Sequence, residues 1–126
     1  MSIHVTWDNT EETILLWTII GRWTWGEYDD AINQANAMLD TVNHGVDFIY
    51  DAREMSILPP DLITQFKLRY LNKHRNTRQF LVVGVDSYLQ LLWNTFTALP
   101  YARHLRVFYF DTLDEARSFS RQSSKE

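Results

Sequence analysis

Three aspartates each follow an apolar run in this chain: Asp51 after Val46–Tyr50, Asp86 after Phe80–Val85, and Asp111 after Leu105–Phe110. Carboxylates gathered at strand ends are what a hard cation such as Mg²⁺ or a phosphoryl-transfer site requires, because such ions take oxygen ligands. Asp86 and Asp111 already have a task, since each stands where a helix would be capped. No lysine closes the last strand, as a receiver-type phosphorylation site would want, and only Asp51 is left without a structural role. The four histidines, His4, His44, His74 and His104, show no metal-binding spacing on one helix. Cysteine is absent, and four glycines leave little scope for a phosphate-cradling loop, a nucleophile elbow or a dinucleotide fingerprint. The expectation is a protein without a catalytic residue, cofactor or metal, and not an enzyme.

A second constellation is aromatic. Trp23, Trp25 and Tyr28 place three large rings within six residues, next to Arg22. Such a cluster either lines an apolar pocket or anchors a protein interface; the structural alternative is that the rings cover the end of a sheet as core. Trp93, Phe96 and Tyr101 would extend the same surface from a later helix.

The elements that must position these groups follow from periodicity. Ile3, Val5 and Trp7 alternate with polar residues, and Thr13–Ile20 is a β-branched and aromatic run, so two strands form a hairpin around the acidic turn 8–12. Thr24 and Glu27 have capping-box spacing ahead of a helix carrying Tyr28, Ala31, Ile32, Ala35, Met38, Leu39 and Val42 and ending before Gly45. Val46–Tyr50 predicts a buried strand closed by Asp51. Pro59-Pro60-Asp61 predicts the first turn of a helix with Leu62, Ile63, Phe66 and Tyr70 on its apolar side and cations in its last turns. Phe80–Val85 predicts a strand, Asp86 a helix that stops before Pro100, Leu105–Phe110 a strand, and Thr112 with Glu115 a short final helix, with 121–126 fraying. The order is ββαβαβαβα: an α/β domain with a mixed, mostly parallel five-stranded sheet flanked by four helices on both faces.

This order of elements resembles that of STAS (SpoIIAA-like, anti-sigma factor antagonist) domains. Asp47–Leu58 looks like their third strand and following loop, and Phe108–Ala116 like the last strand and helix of a branch without assigned function. The resemblance implies a regulatory or protein-interaction domain. In regulatory members the loop ends in an Asp-Ser pair whose serine is phosphorylated. Aligned through Asp51 and Glu54, Pro59 and Pro60 occupy those positions, so the phosphoacceptor is missing. Asp61 would repel an added anion, and Ser56 and Thr64 stand where no acceptor is expected. The surface expected to meet a partner or ligand comprises Arg22, Trp23, Trp25, Tyr28, Asp51, Arg53, Glu54, Ser56, Pro59, Pro60 and Asp61.

Bulk properties bound the rest. A length of 126 residues with 45% hydrophobic content suits one domain over 1–126. No apolar run is long enough to span a bilayer, and the opening residues carry no basic n-region, so the cytoplasm is the expected location. The net charge of −4 divides into −9 over residues 1–66 and +5 over 67–126. That split would give a two-faced surface able to steer a partner or drive a homodimer, unless the fold interleaves the halves. An overall pI near 5.5 is far from a nucleic-acid footprint. A protein partner is therefore expected, with a small apolar molecule or lipid as the alternative ligand.

Overall fold

The computed structural model describes residues 2–56, 59–70, 73–87, 90, 91, 94, 98 and 106–123. Its elements are β1 (Ile3–Trp7), β2 (Ile14–Gly21), α1 (Trp25–Leu39), β3 (Val46–Met55), α2 (Leu62–Tyr70), β4 (Thr77–Val83), β5 (Val107–Phe110) and α3 (Leu113–Ser123). Among the described residues there are three helices rather than the expected four. The fourth, between Asp86 and Pro100, falls largely on residues outside that set, as do the rings of Trp93, Phe96 and Tyr101.

The five strands lie side by side in chain order, with β1 antiparallel to β2 and every later neighbour parallel. The period of two sorts each strand between two cores. Leu15, Trp17 and Ile19 of β2, Phe48 and Tyr50 of β3, and Phe80 of β4 face α1 and α2, joined by Tyr28, Ala31, Ala35, Leu39 and Tyr70 from those helices. Ile14, Ile49, Leu81 and Val83 face the other way and pack with Ala116, Leu113 and Phe119 of α3. Helices therefore cover both faces, and each large side chain fully buried here contributes about 1.5–3 kcal/mol.

Several boundaries move for identifiable reasons. β3 does not stop at Asp51 but runs to Met55, because an irregularity between Thr18 and Ile20 lets β2 keep pairing as far as Gly21–Met55. β4 starts at Thr77 instead of Phe80, drawn in by pairing of Val46 with Thr77. α3 continues to Ser123, past the point where fraying was expected. α2 begins at Leu62, not at the prolines. Asp61 holds a left-handed backbone (φ 59°), so the helical dihedrals begin only after it.

Ion pairs answer the question of the charge split. Asp8 pairs with Arg117, Asp29 with Arg69 and Asp47 with Arg78, so acidic residues of the first half meet basic residues of the second inside one fold. The halves are interleaved. No helix among the described residues is long and apolar enough to cross a membrane.

Candidate functional site

The parallel strands end at Gly21, Met55, Val83 and Phe110, and these ends form one rim of the molecule. At the first of them the capping box forms as its spacing requires. Thr24 Oγ1 accepts the Glu27 N–H at 3.2 Å and Glu27 Oε1 accepts the Thr24 N–H at 3.2 Å. Glu27 Oε2 also accepts the N–H of Ser2, and this hydrogen bond is the main cause that holds the Glu27 carboxyl below its usual range.

That cap sets the direction in which the aromatic cluster enters the fold. Trp23 and Tyr28 are 3% and 2% exposed and belong to the core, whereas Trp25 is half-buried. Trp23 and Trp25 meet edge to face at 4.9 Å, and Trp25 packs edge to face on Phe66 of α2 at 5.3 Å. The Trp25 Nε1–H donates to the carbonyl of Pro60 at 3.0 Å, and the Arg69 guanidinium lies 4.6 Å over its ring while gripping Asp29 through two bonds. One indole thus ties the loop ahead of α2 to both helices.

Behind this wall the hydroxyls of Tyr28, Tyr50 and Tyr70 converge, one from each of α1, β3 and α2. Tyr50 lies 3.2 Å from both of the others, and Tyr28 and Tyr70 bond directly. Three hydroxyls in a triangle can each donate once and accept once, which is how three buried polar groups coexist with an apolar core. Burial pushes the Tyr28 phenol up to about 12 and those of Tyr50 and Tyr70 well above their usual value.

Between this triad and the rim lies an apolar pocket of about 70 Å³, walled by Ile19 and Trp23 from the β2 end, Ala52 and Met55 from β3, Leu62 and Phe66 from α2, Val82 and Tyr109 from β4 and β5, and Val85 just past β4. Its walls present almost no polar atom. The pocket lies outside the carboxyl ends of the strands, where open α/β sheets usually bind ligands.

The remaining expected residues surround this mouth. Arg22 is exposed, and its carbonyl accepts the Ser2 hydroxyl at 2.9 Å. Asp51 is not free for a cation, because its carboxylate accepts the Arg53 backbone N–H at 3.2 Å and the Arg53 guanidinium at 2.8 and 2.9 Å. Those side-chain bonds hold its carboxyl below the usual range and in turn raise the Arg53 guanidinium. Among the described residues no three His, Asp or Glu side chains are grouped to hold a metal. Glu54 and Ser56 are exposed, the latter with its N–H on Gly21 O at 3.0 Å. Pro59 is half-buried, and Pro60 and Asp61 are exposed. Because α2 starts at Leu62, the two prolines precede the first turn and take no donor from it, whereas the Pro59-Pro60-Asp61 pattern predicts them inside it. The acceptor hydroxyl is still missing at 59 and 60, and Thr64 is an exposed residue of the first turn.

Asp111 does not cap the last helix by its side chain; Thr112 does, accepting the Glu115 N–H at 3.2 Å and donating to Glu115 Oε1 at 3.0 Å. His74 is held by more than the helix dipole. Its Nε2 faces Asp40 Oδ1 at 2.7 Å and its Nδ1 accepts the Asn76 N–H at 3.0 Å, which fixes the proton on Nε2. His104 lies outside the described residues.

One cluster carries no clear mark in the sequence. At the opposite, amino ends of the parallel strands, the carboxylate of Asp47 is almost fully buried and accepts four hydrogen bonds: from Arg78 at 2.7 and 3.0 Å, Gln79 at 3.1 Å and Ser120 at 2.5 Å. The only available signal was a charge in the second position of an otherwise apolar strand, since such a group is not buried without partners.

The fold with its aromatic rim is that of a SpoIIAA-like α/β domain. An uncharacterised protein of the DUF3478 family with a SpoIIAA-like fold, from Shewanella loihica PV-4, superimposes with a TM-score of 0.67 over 93% of this chain and 90% of its own, at 12% sequence identity. The resemblance to STAS domains read from the order of elements therefore holds at the level of fold. No family model matches the sequence, and no curated protein matches it.

Proposed function

We propose that this chain is a non-enzymatic STAS-like domain that binds a small apolar molecule at the rim of the sheet between α2 and the carboxyl ends of β3 to β5. The observation that carries this reading is the pocket itself: about 70 Å³ of space whose walls are hydrocarbon and aromatic ring, opening at the mouth of the strands. That volume is smaller than the roughly 300–1,000 Å³ of a pocket enclosing a drug-sized ligand. It fits one ring or a short chain end, with the remainder of the molecule at the mouth. Native mass spectrometry of the freshly purified protein tests this, with a bound apolar species as the expected result. Protein free of any adduct, together with no thermal stabilisation by short alkanes or aromatic compounds, would sink it.

A second reading, a regulatory domain that docks a protein through the end of β3, the residues between it and α2, and the face of α2, has its own support. Glu54 and Ser56 are exposed and held by their bonds to β2, and Pro60 and Asp61 are exposed with Pro60 held by Trp25, so a partner would meet prepared residues. Contact there would be independent of phosphate. Cross-linking in the native cell should lose a specific partner on Asp61→Lys and Glu54→Lys. Stoichiometric phosphate on Ser56 or Thr64 after incubation with ATP and extract would overturn the phosphate-independent part.

A further inference from the structure

β1 forms one edge of the sheet, with β2 on one side and, among the described residues, no strand on the other. Alternate residues make its hydrogen bonds to β2, as in any antiparallel pair. The Ile20 N–H donates to Ser2 O at 2.8 Å and the Asp8 N–H to Ile14 O at 2.9 Å, and the register between these two pairs is unbroken. Residues 2, 4, 6 and 8 therefore face β2, while Ile3, Val5 and Trp7 turn their N–H and C=O groups to the open edge. Of these outward groups only the Val5 carbonyl has a partner among the described residues, the Gln34 side chain of α1 at 3.3 Å, and a carbonyl oxygen has a second lone pair to offer.

An open edge is a template for another strand, and folded proteins guard it with charge, proline or a bulge. β1 has none of these guards: Ile3-His4-Val5-Thr6-Trp7 carries no Lys, Arg, Asp, Glu or Pro, and its pairing with β2 shows no register shift. The strand is also self-complementary. A two-fold axis at Val5 sets Val5 opposite its own counterpart, and Ile3 opposite Trp7, in a second copy. All of these are outward residues, so each pair can exchange two N–H to O=C bonds. The ends of the strand agree in charge. Ser2 Oγ donates to Arg22 O at 2.9 Å, which puts Arg22 at the start of β1, and the acidic turn 8–12 follows its end. Arg22 and Glu11 are exposed, and neither has an ion-pair partner among the described residues. Antiparallel pairing sets Ser2 opposite Asp8 of the other copy, and so brings each Arg22 to the other's acidic turn.

We propose that this edge is an interface with a second copy of this chain: two β1 strands pair antiparallel about Val5 and join two five-stranded sheets into one. The interface is separate from the apolar pocket and does not depend on the function proposed above.

Sedimentation velocity and amide hydrogen exchange on the full chain, each run from about 5 to about 500 μM, test it. A dimer is expected to form as the concentration rises. Exchange at the Ile3, Val5 and Trp7 amides should slow with it by about tenfold, while His4 and Thr6, already bonded to β2, should not change. His4→Lys with Thr6→Lys, two exposed changes that set like charges opposite one another across the seam, should weaken association about tenfold. Arg22→Glu should weaken it about tenfold as well, and adding Glu11→Arg should restore it, which a parallel pairing of the strands would not allow. Circular dichroism of the variants controls for folding. A monomer at every concentration, a dimer whose three edge amides keep the monomer rate, an association unmoved by the lysine pair in a folded protein, or a charge swap that restores nothing would overturn the proposal.

Discussion

Replacing Asp47 by alanine should destabilise the fold more than any other single charge removal among the described residues, and the size can be worked from its partners. Asp47 joins β3, β4 and α3 through four accepted bonds. The Gln79 side chain, fully buried, already has its Oε1 without a partner and would lose the bond of its Nε2 as well. Stranding a buried amide costs about 1–3 kcal/mol, and the buried Ser120 hydroxyl adds about 1 kcal/mol. Arg78, a third exposed, recovers water and adds little, which keeps the total below the upper end for a broken buried ion pair. The expected loss is about 3 kcal/mol, or a fall in Tm of about 12 °C for a chain of this length. Urea denaturation followed by tryptophan fluorescence measures it directly, with the slope m unchanged. Ser120→Ala alone should cost about 1 kcal/mol, and the double variant should fall short of the sum because the two share a bond. A loss below about 1 kcal/mol for Asp47→Ala would show that the network does not hold α3 to the sheet, and the reasoning would fail.

Other consequences are open to measurement. The three core phenols have folded pKa values raised above the unfolded value of about 10, so they favour the neutral, folded state. The stability they contribute is complete below pH 10 and is lost as the pH rises through 10 toward 12; absorbance at 295 nm should show Tyr28, Tyr50 and Tyr70 ionising together with unfolding, and independent early titration would contradict this. Asp51 shifts the other way, lowered first by its bonds to Arg53, so its contribution is present above the ordinary carboxylate range of about 4 and disappears as the pH falls through its folded value. Asp51→Asn should flatten that acid limb of the stability curve. Gly84→Ala would place a Cβ 2.4 Å from Arg53 Cγ and 3.0 Å from its Cα at φ 83°, and should cost more than about 2 kcal/mol, whereas Gly21→Ala, with φ 65° and open space, should cost only about 1 kcal/mol; equal losses by thermal melting would count against the contact. Trp25→Phe keeps the ring and removes the donor to Pro60, so it should cost about 1 kcal/mol and speed amide exchange ahead of α2.

How far the sequence could be read depended on whether a signal was local. The capping box at Thr24 and Glu27, the amphipathic run of α1 and the apolar strands are local, and each formed where its residues said it should. Boundaries failed where a neighbour decides them. Residues 51–55 carry no strand period, yet they pair with β2 because a bulge near Ile19 keeps the two in step. The same holds for Thr77–Gln79, which are polar and become strand only through the pairing of β4 with β3.

The candidate sites divide along the same line. The rings of Trp23, Trp25 and Tyr28 are adjacent in the chain, so their cluster was visible, but its partition between core and rim rests on Phe66, Arg69 and Pro60, which arrive from more than thirty residues away. Asp51 looked unemployed because its partner, Arg53, lies two residues along a strand that was expected to have ended. The buried Asp–Arg pairs were invisible for the strongest form of this reason: Arg117 reaches Asp8 across 109 positions, and Arg78 reaches Asp47 across 31. No periodicity encodes such a meeting. What the sequence did carry was a buried charge awaiting neutralisation, and in a chain whose halves bear opposite charges the place to find the counter-ion was the other half. The charge split is in part the imprint of pairing across the fold, since Asp8, Asp29 and Asp47 of the first half each meet an arginine of the second.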